Sequence, residues 1–377
     1  MKRGFELCFQ VKGMFTKYSY PNKGTFGIFG HMNFNDWNDT LDMRSFWARQ
    51  SQTVLLTGAH TALGHSLAER LCGAGWIVRI LTPVGSMGLS AFPSHAFEVE
   101  GSLASVDSLA LAIRDCTKVI HLAEKSLGKD DAAFRLENVE YTRNLVQACK
   151  QHKVPQFILI SSSAVDYRTM TQYGRSKKIA EDVVRGSDLN WTIVRPSLMV
   201  GPNGSPEYRW LRALVRRFPI LVLPEGGHTV KKPIHEDDLV DGLDLLLRAN
   251  PLGIAKRTYS FAGREQITLA DLVQFIASEH RLTPRMIVTL PNWIIAWGAK
   301  LLDRFGRFPF RSTEALLAIS QDASPSIDAA YQDFGYRPRP LAGRLATRNI
   351  SEQTNSSPIS APAIRVTRGF SLVRSNR

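Results

Sequence analysis

The sequence predicts an α/β fold: a doubly wound, mostly parallel sheet with a smaller C-terminal lobe. Three observations predict it. Short apolar runs alternate with helical patterns from Gln52 to Pro196. A glycine-marked turn joins the first run to the first helix, in Val54–Gly64 (VLLTGAHTALG). The chain has 377 residues, 44% of them hydrophobic, enough for one large domain or two smaller ones.

Val54–Leu56 reads as a short buried parallel strand. Thr57-Gly58-Ala59 breaks it with a tight turn. A helix over Leu63–Gly73 follows, with Leu63, Leu67, Ala68, Leu71 and Cys72 on one face. Strand, glycine turn and helix N-terminus together make a site for a pyrophosphate, because free N–H groups and the helix dipole point at the anion. Gly58 would let the backbone come close, and Gly64 would let the helix sit on the strand. Thr61 occupies the middle glycine position of GxxGxxG. An ordinary strand–turn–helix is the competing reading.

The remaining elements follow in order. Ile77–Leu81, Phe97–Val99, Lys118–Leu122, Phe157–Ile160 and Trp191–Val194 read as strands. Helices are expected over Leu103–Arg114, Asn138–Lys150 and Tyr173–Val184. Beyond Pro196 come a basic helix, Tyr208–Phe218, an acidic-start helix, Leu239–Ala249, and a helix over Leu269–Glu279 that Thr268 could cap. Residues 287–305 are apolar and aromatic. Ile294, Ile295, Trp297, Leu301 and Leu302 form a helical face flanked by Lys300 and Arg304. That face either packs on its own lobe, lids an apolar substrate or touches a membrane surface.

The domains expected are an N-terminal arm over 1–51 and a Rossmann-type nucleotide-binding domain over 52–196, with 224–250 returning to it. The second lobe takes 197–223 and 251–345, and a disordered basic tail takes 346–377. The arm is either loosely packed or an over-extended start, with initiation near Met43. The net charge is +13. Much of it is peripheral: the tail from Arg348 carries five arginines against one acid, Glu352. No basic stripe interleaved with aromatics appears, which argues against nucleic-acid binding. The four cysteines, Cys8, Cys72, Cys116 and Cys149, have no metal-ligand spacing, and a reduced cytoplasmic setting is expected. No segment suits a bilayer span or a signal peptide.

Tyr173-Gly174-Arg175-Ser176-Lys177 carries the chemistry. Tyr and Lys four apart share one helix face. A neighbouring ammonium favours the phenolate, so Tyr173 suits proton transfer at an alcohol or carbonyl. Ser161-Ser162-Ser163 ends the preceding strand, at the carboxyl edge where open α/β sheets bind ligands. His121 reads as a packed core residue, and His235 as structural or lining the site.

Thr57-Gly58-Ala59…Gly64, His121-Leu122-Ala123, Asn138-Val139, Ser161-Ser162, Tyr173…Lys177 and Arg195-Pro196 occur in that order. The set resembles the extended short-chain dehydrogenase/reductase superfamily, which includes NAD-dependent epimerases and dehydratases, over about residues 52–344. The C-terminal Leu290-Pro291-Asn292-Trp293 and Asp333-Phe334-Gly335-Tyr336-Arg337-Pro338 are similar to the 3β-hydroxysteroid dehydrogenase and dihydroflavonol reductase branch. The resemblance implies that Tyr173 is the acid/base, Lys177 its partner and Ser162 the substrate-polarising hydroxyl. It implies a dinucleotide held by Thr57, Gly58, His60, Thr61, Ala62, Leu63, Gly64, Thr82, Ser102, Leu103, Leu122, Ala123, Tyr173, Lys177 and Pro196. No metal is implied.

The departures bear on specificity. Thr82 stands where NAD-preferring members place an acid, so NADP is weakly preferred over NAD. Ser102 replaces an adenine-side Asp, and Asp166-Tyr167 replaces Tyr-Gly. Lys231 replaces a diphosphate-binding Arg, which argues against a nucleotide sugar. The expected activity is hydride transfer between a nicotinamide and a secondary alcohol or ketone of a lipophilic small molecule. The alternatives are a nucleotide-sugar epimerase or dehydratase, and a cofactor-binding scaffold without turnover. A homodimer is a further expectation.

Overall fold

The computed structural model describes residues 6–11, 14–19, 53–88, 91–93, 95–304 and 312–341. The chain forms two units, residues 1–49 and residues 50–377. In the first, Glu6–Val11 and Met14–Ser19 pair as an antiparallel hairpin. The rest of the expected arm and the basic tail lie outside the described residues.

The second unit is built on seven parallel strands: β1 (Thr53–Thr57), β2 (Ile77–Thr82), β3 (Ala96–Glu100), β4 (Lys118–His121), β5 (Gln156–Ile160), β6 (Trp191–Pro196) and β7 (Arg257–Phe261). Their spatial order is β3-β2-β1-β4-β5-β6-β7. The order reverses between β1 and β4, where Thr57 pairs with His121. Such a switch point opens a crevice at the carboxyl ends of the strands. Eight helices carry the argument: α1 (Ala62–Gly73), α2 (Tyr141–Gln151), α3 (Gln172–Arg185), α4 (Pro206–Arg217), α5 (Glu236–Arg248), α6 (Leu269–Glu279), α7 (Asn292–Arg304) and α8 (Ser312–Ile319).

The central strands are apolar on both faces, as a covered parallel sheet requires. Val54, Leu56, Ile120 and Ile158 share one core with Leu67 and Leu71 of α1 and Leu239, Leu243 and Leu246 of α5. Leu55, Val119, Phe157 and Leu159 share the opposite core with Leu145 and Cys149 of α2 and Val184 of α3. Period-two alternation along each strand thus sorts residues to two helical layers. A third core lies where Tyr208, Leu211 and Val215 of α4 meet Leu272, Val273 and Ile276 of α6.

Two elements differ from the sequence reading. Leu103–Arg114 is not one helix: a 3-10 turn at Asp107–Leu109 leads into a single α turn, Ala110–Ile113. The serines explain this. Ser102 Oγ accepts from Ala104 N, and Ser108 Oγ donates to the Ser102 and Ser105 carbonyls, local bonds that compete with helix. Strand β7, in the stretch read only as second lobe, pairs with β6 at the sheet edge. Its only buried residues are Tyr259 and Phe261, too short an apolar signal to read. Tyr336 stacks on Phe261 and donates to the Ala262 carbonyl, closing the chain back onto that edge.

Candidate active site

The turn after β1 has the close approach its glycines predict. Gly58 has φ +77°, and a Cβ there would lie 2.5 Å from Ala123 N; one on Gly64 would lie 2.4 Å from the Gly58 carbonyl oxygen. Thr61 acts as N-cap of α1: its hydroxyl accepts from Gly64 N at 3.1 Å and donates to the Gly58 carbonyl at 2.8 Å. The Ala62 and Leu63 amides belong to the first turn, which has no helical acceptors, and both residues line the cavity. This backbone cradle fits the pyrophosphate of a dinucleotide.

The cavity has a volume of about 390 Å³. It runs from Thr61–Leu63 past Ser162 and Tyr173 to Pro196–Met199 of the strand-end segment and to Ala318 and Ile319 of α8. Tyr173 and Lys177 lie on α3, whose N-cap Thr171 accepts from Gly174 N. The Gly174 position has no room for a side chain, since a Cβ would lie 2.7 Å from the Ala164 carbonyl. Ser162 lines the cavity, and its hydroxyl accepts from Ala164 N at 3.1 Å.

Glu124, at the end of the His121-Leu122-Ala123 segment, is the residue the sequence reading missed. Its Oε2 accepts from the Tyr173 hydroxyl at 3.0 Å and pairs with Lys177 Nζ at 2.7 Å. Lys177 is 3% exposed and also donates to the Ile160 carbonyl at 2.6 Å. Asn138 fixes the segment. Its amide accepts from Lys125 N, donates to the Lys125 carbonyl and reaches Ser176 Oγ on α3. Asn138 sits in a π-helical turn, Arg135–Glu140, a distortion often found at functional sites. The available signal was a carboxylate placed three residues past the end of a strand at the switch point.

Glu124 changes the electrostatics expected of Tyr173. Lys177 alone would favour the phenolate. Instead burial holds the phenol well above its usual range, with the Glu124 and Glu207 carboxylates adding to the effect. The hydroxyl is a proton donor at neutral pH. Burial also raises the carboxyl of Glu207, on the first turn of α4, and Glu124 adds to that rise.

Lys231 is 2% exposed, and burial lowers its ammonium to about 8. It donates to the Ala318 and Gln321 carbonyls and lies over the Tyr167 ring. It ties the cavity wall together. Gln321 further brackets Thr169, accepting from its N–H and donating to its carbonyl, while Glu314 accepts from Gln172 N. The α8 region is thereby fastened to the start of α3.

Of the expected residues, the structure gathers Thr61, Ala62, Leu63, Leu122, Ser162, Tyr173 and Pro196 around one cavity, with Lys177 behind Tyr173. Thr57 and Ala123 meet at the strand ends: the Thr57 hydroxyl is 2.7 Å from His121 Nδ1 and 3.5 Å from Ala123 N. His121 is 1% exposed, sits between Thr57 and Thr142, and is driven down to about 3 by burial and then by Lys177. His60 packs edge-on to Phe92. Thr82, Ser102 and Leu103 lie at the carboxyl ends of β2 and β3. Ser102 is committed to its own turn, and the Leu103 carbonyl accepts from Asn144 of α2. His235 caps α5. No group of metal-ligating side chains exists among the described residues.

Thr82 has a partner the sequence did not suggest. Its hydroxyl donates to Glu98 Oε2 at 3.0 Å, and Glu98 also accepts from Gly88 N. Glu100 accepts from Gly85 N in the same loop. A carboxylate therefore stands at the end of β2, supplied by β3.

A parallel sheet with this switch point, a glycine cradle and a Ser–Tyr–Lys cavity defines a nicotinamide dinucleotide-binding protein. The NAD(P)H-binding family model matches residues 58–212. The chain is 30% identical to ceramide reductase of Caulobacter vibrioides, over 66% of this chain and 77% of that one. It is 28% identical to the mitochondrial NADH dehydrogenase [ubiquinone] 1 alpha subcomplex subunit 9 of Rattus norvegicus, over 62% of each chain. The crystal structure of gox2253 superposes with TM-score 0.64 at 26% identity, covering 81% of this chain and 99% of that one. The chain belongs to the extended short-chain dehydrogenase/reductase superfamily.

Proposed function

We propose that this protein transfers hydride between a nicotinamide cofactor and a secondary alcohol or ketone on a lipophilic molecule, with ketone reduction as the favoured direction. The observation that carries the reading is the protonated Tyr173 hydroxyl beside Ser162 in a cavity walled by Leu122, Ile160, Leu198, Met199 and Ile319. When bound, the nicotinamide supplies or accepts the hydride. Ser162 holds the substrate oxygen. As the carbonyl carbon gains hydride, Tyr173 gives its proton to that oxygen, and Lys177 stabilises the phenolate left behind. The relative named ceramide reductase supports a lipid carbonyl as the substrate class.

NAD(H) is proposed as the better cofactor. The expectation of NADP rested on an uncharged Thr82, and Glu98 supplies negative charge there. A nucleotide-sugar substrate is disfavoured because the Lys231 ammonium is taken up by carbonyl groups. The scaffold reading keeps one supporting observation, the similarity to a respiratory-complex subunit. NADH oxidation followed with long-chain ketones decides between them. Tyr173→Phe should lower the rate ~10²–10⁴-fold with cofactor affinity retained. Cofactor binding without turnover on any ketone would favour the scaffold, and a near wild-type rate in Tyr173→Phe would remove Tyr173 as the proton donor.

A further inference from the structure

Helix α7 presents a face that is exposed among the described residues. Trp293 is 72% exposed, Trp297 65% and Leu301 39%. Lys300 and Arg304 are exposed as well. At 100° per residue these five positions fall within about 100° of one another, so they form one stripe. Ala299, off that stripe, is buried at 7%. The one acid of the helix, Asp303, faces elsewhere: its Oδ2 accepts from the Thr313 N–H at 3.2 Å and from the Thr313 hydroxyl at 2.8 Å. The stripe is therefore aromatic and purely cationic.

We propose that this stripe docks the protein on an anionic lipid surface. Tryptophan has an apolar body and one N–H donor, which suits the boundary between headgroups and acyl chains. Lysine and arginine beside it complement lipid phosphates. No described helix is long and apolar enough to cross a membrane, so the contact is peripheral. A second copy of the chain is a poorer occupant. Two tryptophans and a leucine expose apolar area on the order of 300 Å², against ~800 Å² per partner in a stable pair.

The placement has a consequence for the cavity. Asp303 ties α7 to the start of α8, and α8 lines the cavity through Ala318 and Ile319. Docking through α7 would bring that wall to the lipid surface. The docking itself rests on the stripe and not on the proposed reaction, so its test needs no turnover.

Full-length protein is co-sedimented with vesicles of phosphatidylcholine plus phosphatidylglycerol, and with phosphatidylcholine alone. Binding to the anionic vesicles should be roughly tenfold stronger and should weaken with salt. Joint Trp293→Ser and Trp297→Ser substitution should lower it about tenfold or more. Joint Lys300→Gln and Arg304→Gln should remove the preference for anionic lipid, and it keeps the test open if the tryptophan pair disturbs folding. Equal binding to both vesicle types overturns the proposal, as does binding that survives both pairs of substitutions. A dimer that the tryptophan substitutions convert to monomer would assign the stripe to a second copy.

Discussion

Helix α3 holds two ion pairs one turn apart, and they differ in kind. Glu181 is fully buried and accepts four bonds: from Ser161 Oγ, from Arg195 Nε and Nη2, and from Arg185 Nη2. Burial works against its charge, yet the hydrogen bonds from Arg195, Ser161 and Arg185 outweigh it and hold the carboxyl low. Glu124 is 26% exposed, faces the cavity and accepts from Tyr173 and Lys177. A fully satisfied carboxylate fixes β5, β6 and α3 in one arrangement. A carboxylate with spare acceptor capacity at a cavity can exchange partners when a ligand arrives. The lesson is that the number of donors and the access to solvent separate the pair locked into the fold from the pair that faces the cavity.

The sharpest way to break that contrast is to remove each carboxylate. Glu181→Ala leaves the mostly covered Arg195 with the exposed Asp166 as its one carboxylate partner, and should cost ~3–5 kcal/mol in chemical denaturation. Glu124→Ala leaves Lys177 with the Ile160 carbonyl and with water that reaches the partly exposed Glu124 site, so it should cost less, about 1–3 kcal/mol. Equal losses would show that both pairs are structural.

The acid limb of stability tests the burial of His121. His121 is lowered to about 3 in the folded protein, against ~6.5 unfolded. Its contribution is fully present above pH ~6.5. Below that the unfolded chain binds a proton that the native state refuses, so stability falls as pH drops toward 3. The slope should approach ~1.4 kcal/mol per pH unit. A His121 imidazole resonance titrating near ~6.5 in folded protein would contradict this.

Glu124→Gln sharpens the cavity side. It removes a charge and a hydrogen bond that raise Tyr173. The basic limb of the pH–rate profile for ketone reduction should move down. An unmoved limb would disconnect Glu124 from the proton donor.

The smallest expected effect lies farthest from α3. Glu98→Gln should narrow a preference for NADH over NADPH several-fold in fluorescence titrations, by removing charge opposite a 2′-phosphate. A wild-type preference for NADPH would sink the assignment of Glu98.

Ser162, Tyr173 and Lys177 were legible because their spacing is local: four residues on a helix, or a serine run ending a strand. The glycine cradle was legible for the same reason, since Gly58 and Gly64 lie within one turn of the first β–α unit. Glu124 and Glu98 were not. Glu124 meets Tyr173 and Lys177 from 49 and 53 positions away in sequence, and only the β4–β5 pairing brings them together. Glu98 reaches Thr82 because β3 lies in parallel register with β2, a contact that no periodicity encodes.

The sequence by itself determined the alternation of strands and helices, the glycine turn and the grouping of Ser162, Tyr173 and Lys177, because period, turn chemistry and helical spacing act over a few residues. Tertiary structure alone decided β7 at the sheet edge, the charge state of Tyr173 and the outward face of α7. Each of these depends on burial. The sequence grouped Ile294 and Ile295 with Trp297 as one apolar face, whereas packing turns Trp293 and Trp297 outward and leaves the isoleucines partly covered. Which side of a helix meets solvent is settled by its neighbours, and the neighbours are set by the fold.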